Sequence, residues 1–242
     1  VKDGKIRYAL TAIKGVGAPV MEAVVEERNQ NGKYLDLHDF LTRTAGADVN
    51  KRAIENFIKA GALDSLHGTR KQFMSAYGQI VEQIQQERKS AMSGQMTLFD
   101  FASEEEKTVY KGELPRVGEY DKNTILSFEK EVLGIYVSGH PLEEVKEVWE
   151  KLKTASTTDF LLDVETNEMP LVDGERVVIG GVLAEKKIKY TRNDKTMAFL
   201  TMEDLLGQVE VITFPKVYEK YAGELEEEEK LFIKGRVSGE DE

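Results

Sequence analysis

The stretch Leu10-Thr11-Ala12-Ile13-Lys14-Gly15-Val16-Gly17-Ala18-Pro19-Val20-Met21 decides how the first part of this chain folds. Apolar residues stand before and after its Gly-Val-Gly tripeptide at the spacings of three and four that give a helix one buried stripe. They are Leu10, Ile13, Met21, Val24 and Val25. The pattern predicts a tight turn between two packed helices, with Pro19 in the first turn of the second helix, where a missing N–H costs nothing.

The predicted turn has the chemistry of an anion site. Glycine adopts positive φ and lets another backbone come close, so amides here can point at an anion in front of the positive end of the next helix. The spacing Leu-x-x-Ile-x-Gly-Val-Gly resembles the helix-hairpin-helix motif, which grips DNA without reading its sequence. The candidate contacts to the DNA backbone are Lys14, Gly15, Val16, Gly17 and Ala18. A helical hairpin that only packs is the alternative.

A second stretch, residues 54–64, repeats the plan of an apolar helix, a glycine turn and an apolar continuation. Paired hairpins would form one compact helical domain, and its single glycine, Gly61, is a further candidate DNA contact. The alternative is a plain helix that ends at a Gly61 C-cap. Apolar residues at helical spacing in residues 72–89 then predict an amphipathic helix that closes a domain over residues 1–90.

Charge is distributed unevenly along the 242 residues, whose net charge is −11. Residues 1–90 hold 14 Lys and Arg against 11 Asp and Glu, whereas residues 91–242 hold 19 against 33. The basic balance of the first part is compatible with nucleic acid although the whole chain is acidic. The absence of cysteine excludes disulfides and thiolate metal sites.

The length favours more than one domain, and the start at Val1 rather than Met suggests a fragment. No apolar run has the length of a membrane span, and no charged-then-apolar leader opens the chain. We therefore expect a cytoplasmic protein of bacterial type with no membrane partner.

Residues 91–122 have weak periodicity and predict a linker. They include an apolar cluster, which would cost solubility unless a partner covers it. Its residues are Gln95, Met96, Thr97, Leu98 and Phe99. They resemble the pentapeptide by which bacterial replication proteins bind the sliding clamp, with Leu98 and Phe99 in an apolar pocket and the Gln95 amide at its rim. The alternative is a strap that folds Leu98 and Phe99 back onto the hairpin domain.

Residues 123–170 predict connecting helices, the first of them capped by Asn123 or Thr124. That helix runs into the string Glu-x-Leu-Gly-x-Tyr-x-Ser-Gly-His-Pro-Leu, residues 131–142, which resembles a segment of the alpha subunits of bacterial DNA polymerase III. Ser138 and His140 could suggest a hydrolase. They adjoin Ser-Gly and His-Pro turns, however, and need only local hydrogen bonds.

Alternation of period two begins after residue 175 and predicts strands near 177–182, 195–202, 208–214 and 230–237, with a helix over 215–229. Three strands, a helix and another strand follow the order of the OB-fold, a barrel that binds oligonucleotides. The fifth strand is missing, so residues 171–242 predict a truncated OB-fold with an open edge. The fold class is therefore α+β multidomain, with an all-α tandem helix-hairpin-helix domain first and a β-barrel last.

The loop predicted between the first two strands is basic, with five cations against Glu185 and Asp194. Cations and flat rings together suit single-stranded nucleic acid, because they bind phosphates and stack on bases. The candidate contacts are Lys186, Lys187, Lys189, Tyr190, Arg192 and Lys195. Phe199 on the second strand would add a second ring if its face is outward. The alternative is a solvated hairpin tip with Phe199 in the core, and the core is the favoured place for Phe199.

Taken together, the modules resemble the C-terminal half of the DNA polymerase III alpha subunit. The resemblance implies hairpins that hold duplex DNA, a peptide that tethers the enzyme to the sliding clamp among other replisome subunits, and an OB domain near the single-stranded template. It also implies a DNA-directed DNA polymerase as the parent protein. The chain departs from the pattern at Met21, where Ala is usual, in the lone glycine of the second stretch and in the missing fifth strand.

Nucleotide addition needs carboxylates, commonly Asp-x-Asp, that hold two Mg²⁺ ions. The chain has no Asp-x-Asp, and its nearest pair, Asp163-Val164-Glu165, is interpreted as surface. We therefore expect no catalytic residue, metal ligand or cofactor in this chain, with Mg²⁺ in the parent polymerase domain. The alternative function is an adaptor whose hairpins and barrel are structural while residues 95–99 recruit the clamp.

Overall fold

The computed structural model of the chain describes residues 10–46, 49–93, 114–162 and 169–239. It divides into two compact units, Val1–Ser138 and Gly139–Glu242. The first unit is helical, and the second is built on an antiparallel sheet. The predicted α+β class, with helices first and a barrel-like sheet last, is confirmed.

The described part of the first unit opens with a 3₁₀ turn, Leu10–Ala12, and continues with helices α1 (Ala18–Asn31), α2 (Leu37–Thr44), α3 (Lys51–Lys59), α4 (Arg70–Ser93) and α5 (Lys122–Leu133). Three of these helices begin at a side-chain cap that accepts the amide three residues on. The caps are Asp36, Asn50 and Asp121. The expected cap of α5 at Asn123 or Thr124 was wrong, because the chain turns helical directly after Asp121.

One apolar core holds the helices together, and it contains the stripe predicted around the turn. Ile13, Met21 and Val24 are buried in it. Leu10 is 38% exposed, and the described chain before the turn is a single 3₁₀ turn rather than an α-helix. In α4 the predicted amphipathic stripe is confirmed, since its core-facing residues are buried. They are Phe73, Ala76, Ile80 and Ile84.

Residues 114–138 pack with the helices that precede residue 94. The carboxylate of Glu119 accepts the backbone amides of Arg70, at 2.9 Å, and Lys71, at 3.1 Å, and so caps the first turn of α4. The Gln72 side chain donates to the carbonyl of Pro115 at 2.9 Å, and Leu114 packs on the core. The chain on both sides of residues 94–113 therefore belongs to one unit.

The second unit contains helix α6 (Lys146–Leu152), strands β1 (Arg176–Tyr190), β2 (Thr196–Glu203) and β3 (Gln208–Thr213), helix α7 (Pro215–Tyr221) and strand β4 (Lys230–Arg236). The strands pair antiparallel in the order β3-β2-β1-β4. This curled sheet is a half-barrel consistent with a partial OB-fold. The four predicted strands and the helix before the last strand are confirmed, but β1 runs eight residues beyond the predicted end at 182.

Helix α7 is shorter than predicted because the chain after it joins the sheet. The amide of Glu228 donates to the carbonyl of Leu183 at 2.8 Å, and the amide of Leu183 donates to the carbonyl of Glu229 at 2.9 Å. Glu228 has a positive φ of 71°, which no α-helix accepts. These bonds form where the β1–β2 register shifts between Leu183 and Glu185.

Strand β1 is apolar on both faces, as predicted. On one face Ile179 and Leu183 pack with Leu200 in the core of the sheet. On the other face Val182 packs against Trp149 of α6, whose indole N–H donates to the carbonyl of Gly180 at 2.6 Å. The second unit therefore covers this strand from both sides.

Candidate nucleic-acid interface

Two helices, α3 and α5, hold the turn at residues 14–18 by hydrogen bonds to Lys14. The Asn56 side-chain amide in α3 donates to the carbonyl of Lys14 at 2.6 Å, and the amide of Lys14 donates to the carbonyl of Val132 in α5 at 2.8 Å. Val16 is buried and its N–H donates to the carbonyl of Ile13. Of the predicted turn between two packed helices, the turn and the second helix are confirmed, with Gly17 at the N-cap of α1, whereas the described chain before the turn is a 3₁₀ turn.

The outer side of this turn presents unpaired amides. Gly15, Gly17 and Ala18 are exposed, and no described residue accepts a hydrogen bond from their N–H groups. The first amides of a helix lack intrahelical acceptors and carry part of the positive end of its dipole. Val16 differs from its predicted role, because its amide is used within the turn and its side chain anchors the core.

The two glycines of the turn have different reasons to be glycine. Gly15 has a φ of 76°, and a Cβ there would lie 3.1 Å from the Nδ2 of Asn56. Gly17 has a φ of −74°, and a Cβ there would meet only Pro19, at an ordinary 3.6 Å. The fold therefore favours glycine at position 15 because of its backbone conformation, whereas glycine at position 17 leaves bare backbone at the surface.

Two cations flank the turn. Lys14 is exposed, as predicted. Arg52 in α3 is also exposed, and its Nε lies 3.6 Å from the point that a Cβ on Gly15 would occupy. The sequence pattern did not reveal Arg52, since it lies in another helix and only the fold brings it here.

The second stretch does not repeat the first. Helix α3 ends in a Schellman arrangement, in which the amide of Gly61 donates to Ile58 at 3.1 Å and the amide of Ala62 donates to Phe57 at 2.9 Å. The next helix begins only at Arg70, whose guanidinium, with the carboxylate of Asp64, fills the space beside Gly61. The alternative of a helix C-cap at Gly61 is therefore confirmed, whereas its assignment as a DNA contact stays a prediction.

The basic residues of the second unit lie mostly in a strand rather than in a loop. Strand β1 runs to Tyr190, so the predicted loop shrinks to a turn in which the amide of Thr191 donates to the carbonyl of Lys195 at 2.9 Å. Four predicted contacts belong to β1. They are Lys186, Lys187, Lys189 and Tyr190. Arg192 and Lys195 stand exposed in the turn.

Strand alternation sorts these side chains onto two faces. Lys187 stands directly across from Phe199, and the Nζ of Lys189 lies 4.1 Å from the centre of the Phe199 ring. Phe199 is half-buried on the face opposite the buried Ala198 and Leu200, so its expected place in the core was wrong. One face of the sheet therefore combines an aromatic ring with two lysines.

The other β1 candidates lie on the opposite face. The ammonium of Lys186 donates to the carbonyl of Leu225 at 2.5 Å and so holds two segments of the unit together. Tyr190 is 73% exposed. On the Phe199 face, a hydrogen bond to Glu185, at 2.8 Å, raises the pKa of Lys187 and keeps its ammonium charged.

Ser138 and Glu129 form a polar centre in the first unit. The Ser138 hydroxyl donates to Glu129 at 2.5 Å, and the amides of Val137 and Ser138 donate to the same carboxylate at 2.7 and 2.8 Å. Burial acts to raise the pKa of Glu129, but the hydrogen bonds, with that of Arg70, outweigh it and lower the pKa. The Nδ1 of His140 accepts the amide of Leu142 at 3.2 Å. These local hydrogen bonds match the structural interpretation of the motif and give no support to a hydrolase.

Two predicted features lie outside the described residues: the clamp-binding peptide at 95–99 and the Asp163-Val164-Glu165 pair. Within the described ranges, no three acidic or histidine side chains are grouped to hold a metal ion. In the same ranges, no helix has the length and apolarity needed to cross a membrane.

Comparisons with known proteins identify both units. Residues 1–73 match the family described as helix-hairpin-helix motif, and residues 177–242 match the OB-fold nucleic acid binding domain. Both predicted domain types are therefore confirmed.

Nearly the whole chain is also similar to curated proteins named DNA polymerase III subunit alpha. The protein of Borreliella burgdorferi is 31% identical over 239 residues, which cover 98% of this chain and 20% of that protein. The protein of Saccharopolyspora erythraea is 33% identical over 243 residues, covering 96% and 19%. That of Escherichia coli K12 is 29% identical over 240 residues, covering 99% and 20%. The predicted resemblance is confirmed, and the chain spans about a fifth of these relatives.

Proposed function

We propose that this chain is a DNA-binding segment of a bacterial replicative DNA polymerase, in which the turn at residues 14–18 holds the backbone of duplex DNA. One observation carries the proposal: the turn exposes backbone amides whose N–H groups donate no hydrogen bond to any described residue. The turn lies in a region that matches the helix-hairpin-helix family. The similarity to DNA polymerase III alpha subunits supports the replicative context.

The proposed contact uses charge and backbone only. The amides of Gly17 and Ala18 donate to phosphate oxygens at the positive end of α1, and Lys14 adds a charge beside them. Such contacts are made to phosphates rather than to base edges, so they position DNA without reading its sequence. This suits a polymerase, which has to hold DNA of every sequence.

In the second unit, the proposed ligand is single-stranded DNA on the face that carries Phe199. Its ring offers a stacking surface for a base, and Lys187 and Lys189 lie close enough to meet the adjoining phosphates. Base–aromatic stacking contributes roughly 1–3 kcal/mol per base. The match of residues 177–242 to a nucleic acid binding domain supports this assignment.

Clamp docking through Gln95, Leu98 and Phe99 is part of the same proposal. The resemblance to the clamp-binding pentapeptide and the apolar character of residues 95–99 support it. Nucleotide addition, with its Mg²⁺ ions and other replisome partners, is assigned to the parent protein in the cytoplasm. This chain, without an Asp-x-Asp pair, would hold DNA but not extend it.

Salt-dependent binding tests the hairpin. Fluorescence anisotropy of a labelled duplex is measured for the whole chain, for Lys14→Glu and for Gly17→Val. Lys33→Glu is the matched control, because it makes the same charge change at the far end of α1, about 20 Å away by helix rise. Weaker binding and a shallower salt slope for the turn variants alone are expected. Equal affinities of Lys14→Glu and Lys33→Glu would remove the hairpin from the proposal.

Titration with purified clamp distinguishes the proposed function from the alternative of an adaptor that recruits the clamp without holding DNA. The double variant Leu98→Ala with Phe99→Ala should lose clamp binding and keep duplex binding if the proposal is right. Clamp binding by a chain with no measurable DNA affinity would instead favour the adaptor.

A further inference from the structure

We infer that Arg52 is a second cationic ligand of the phosphate group proposed to bind at the turn. It reaches that group from α3, whereas the amides belong to the start of α1. The inference rests on the proposed DNA-holding role of the turn and adds a residue from a different helix. It assigns the turn a two-sided grip on one phosphodiester, with backbone amides from α1 and a guanidinium from α3.

Asn56 fixes the position of α3 against the turn. It is buried, and its Nδ2 donates to the carbonyl of Lys14 at 2.6 Å. Arg52 stands four residues earlier, so it lies on the same face of α3, one helical turn away. The face that supports the turn from below therefore also places Arg52 at its rim, with Nε 3.6 Å from the Cβ position of Gly15.

Arg52, like Arg28, Arg88 and Arg116, has no carboxylate partner among the described residues, in contrast to Arg43 and Arg70 of the same unit. Arg43 donates to Glu27 and Asp39, and Arg70 donates to Asp64 and Glu129. Arg52 is exposed and enters no such ion pair in the described ranges. Its charge is therefore available to an anion that the fold does not supply.

The guanidinium of Arg52 has the chemistry of a phosphate ligand. A guanidinium presents a planar fork of N–H donors that matches two phosphate oxygens at once, whereas an ammonium acts as a point charge. Lys14 on the turn and Arg52 beside it would bring two positive charges to one anion. In the inferred site the amides of Gly17 and Ala18 donate the other hydrogen bonds to that anion.

The neighbouring residue provides a matched control. Lys51 has the same charge and lies in the same helix turn, but its Nζ lies 3.1 Å from the carboxylate of Glu82, and so faces α4. We compare duplex binding by the whole chain, Arg52→Ala, Arg52→Gln and Lys51→Ala across a salt series. The Arg52 variants should lose roughly tenfold in affinity, the scale of one charged hydrogen bond. Their salt slope should fall by about 1, whereas Lys51→Ala changes little.

A double variant tests whether Arg52 and the turn share one phosphate. Arg52→Ala should cost clearly less affinity in the Gly17→Val background than in the native chain, because the shared ligand is already lost. Full additivity would overturn the shared site. Arg52 variants that behave like Lys51→Ala, while Gly17→Val still weakens binding, would overturn the inference and leave the proposed function standing. Unchanged binding by Gly17→Val and Lys14→Glu would sink the proposed function itself.

Discussion

Arg70 and Glu129 form a buried ion pair, with 3.0 Å between the guanidinium Nη1 and the carboxylate Oε1. The same guanidinium donates to Asp64 at 2.7 Å and to the carbonyl of Lys59 at 3.1 Å. Glu129 in turn accepts the amide and hydroxyl of Ser138. The end of α3, the start of α4, helix α5 and the segment after it therefore meet at one polar centre.

Glu129→Gln should lower the free energy of unfolding by about 3 kcal/mol, because it leaves Arg70 buried with one partner fewer. Urea unfolding followed by circular dichroism measures the change. Glu131→Gln is the control on the same helix, since its ion pair with Lys59 is at the surface and contributes below about 1 kcal/mol. Equal losses for the two variants would show that burial does not decide the effect.

The contribution of Glu129 should depend on pH with a definite sign. Its pKa is lowered in the folded state, so the stabilisation is present above the unfolded pKa of about 4.3 and is lost as pH falls through the lower folded value. The difference in stability between the native chain and Glu129→Gln should therefore narrow below about pH 4. Unfolding midpoints between pH 3 and pH 7 test this, and a constant difference would contradict it.

The two glycines of the turn should separate folding from binding. Gly15→Ala should destabilise the first unit by about 1 to 2 kcal/mol, because alanine is strained at positive φ. Gly17→Ala should leave the melting temperature nearly unchanged, because a Cβ there meets only Pro19 at an ordinary distance. It should still weaken duplex binding, since the methyl group covers backbone at which the phosphate is proposed to bind. Thermal melting and anisotropy on the same samples check both. A stability loss for Gly17→Ala as large as that for Gly15→Ala would contradict the assignment.

Phe199→Leu should weaken binding of a labelled single-stranded oligonucleotide at constant stability. The leucine keeps apolar volume but removes the stacking surface, a loss of roughly 1–3 kcal/mol. Phe232→Leu in β4 is the control, because it removes an exposed ring on the other side of β1. Anisotropy with a short oligonucleotide measures both, and equal affinities would argue against the Phe199 face.

Local patterns predicted most of the elements. The turn at Gly15, the stripe of α4 and the positions of the strands along the chain follow from spacings within a few residues. The order of the strands in the sheet does not, because it depends on pairing between distant segments. The cap of α5 was missed by two or three residues because Asp121, Asn123 and Thr124 are all residue types that can cap a helix. Boundaries of this kind depend on the exact point where the chain turns.

Features that depend on distant residues were predicted less well. Gly61 looks like a second hairpin in sequence, but its surroundings are filled by Arg70 from the next helix. Phe199 lies on the outer face of β2 because its sequence neighbours Ala198 and Leu200 fill the core on the other face. The contacts of Arg52 and Asn56 with the turn could not be predicted either, because they come from the packing of α3 on the turn rather than from any motif.

The attachment of residues 114–121 to the start of α4 has a mechanical consequence. The chain before residue 94 and the chain after residue 113 are anchored in one body, with Gln72 and Glu119 fastening the second anchor. If the sliding clamp binds residues 95–99 as proposed, a pull on that peptide acts on both anchors together, and both belong to the helical unit. The helical unit that carries the Gly15 turn would then be tethered directly to the clamp, and the unit and the clamp would move along a duplex together.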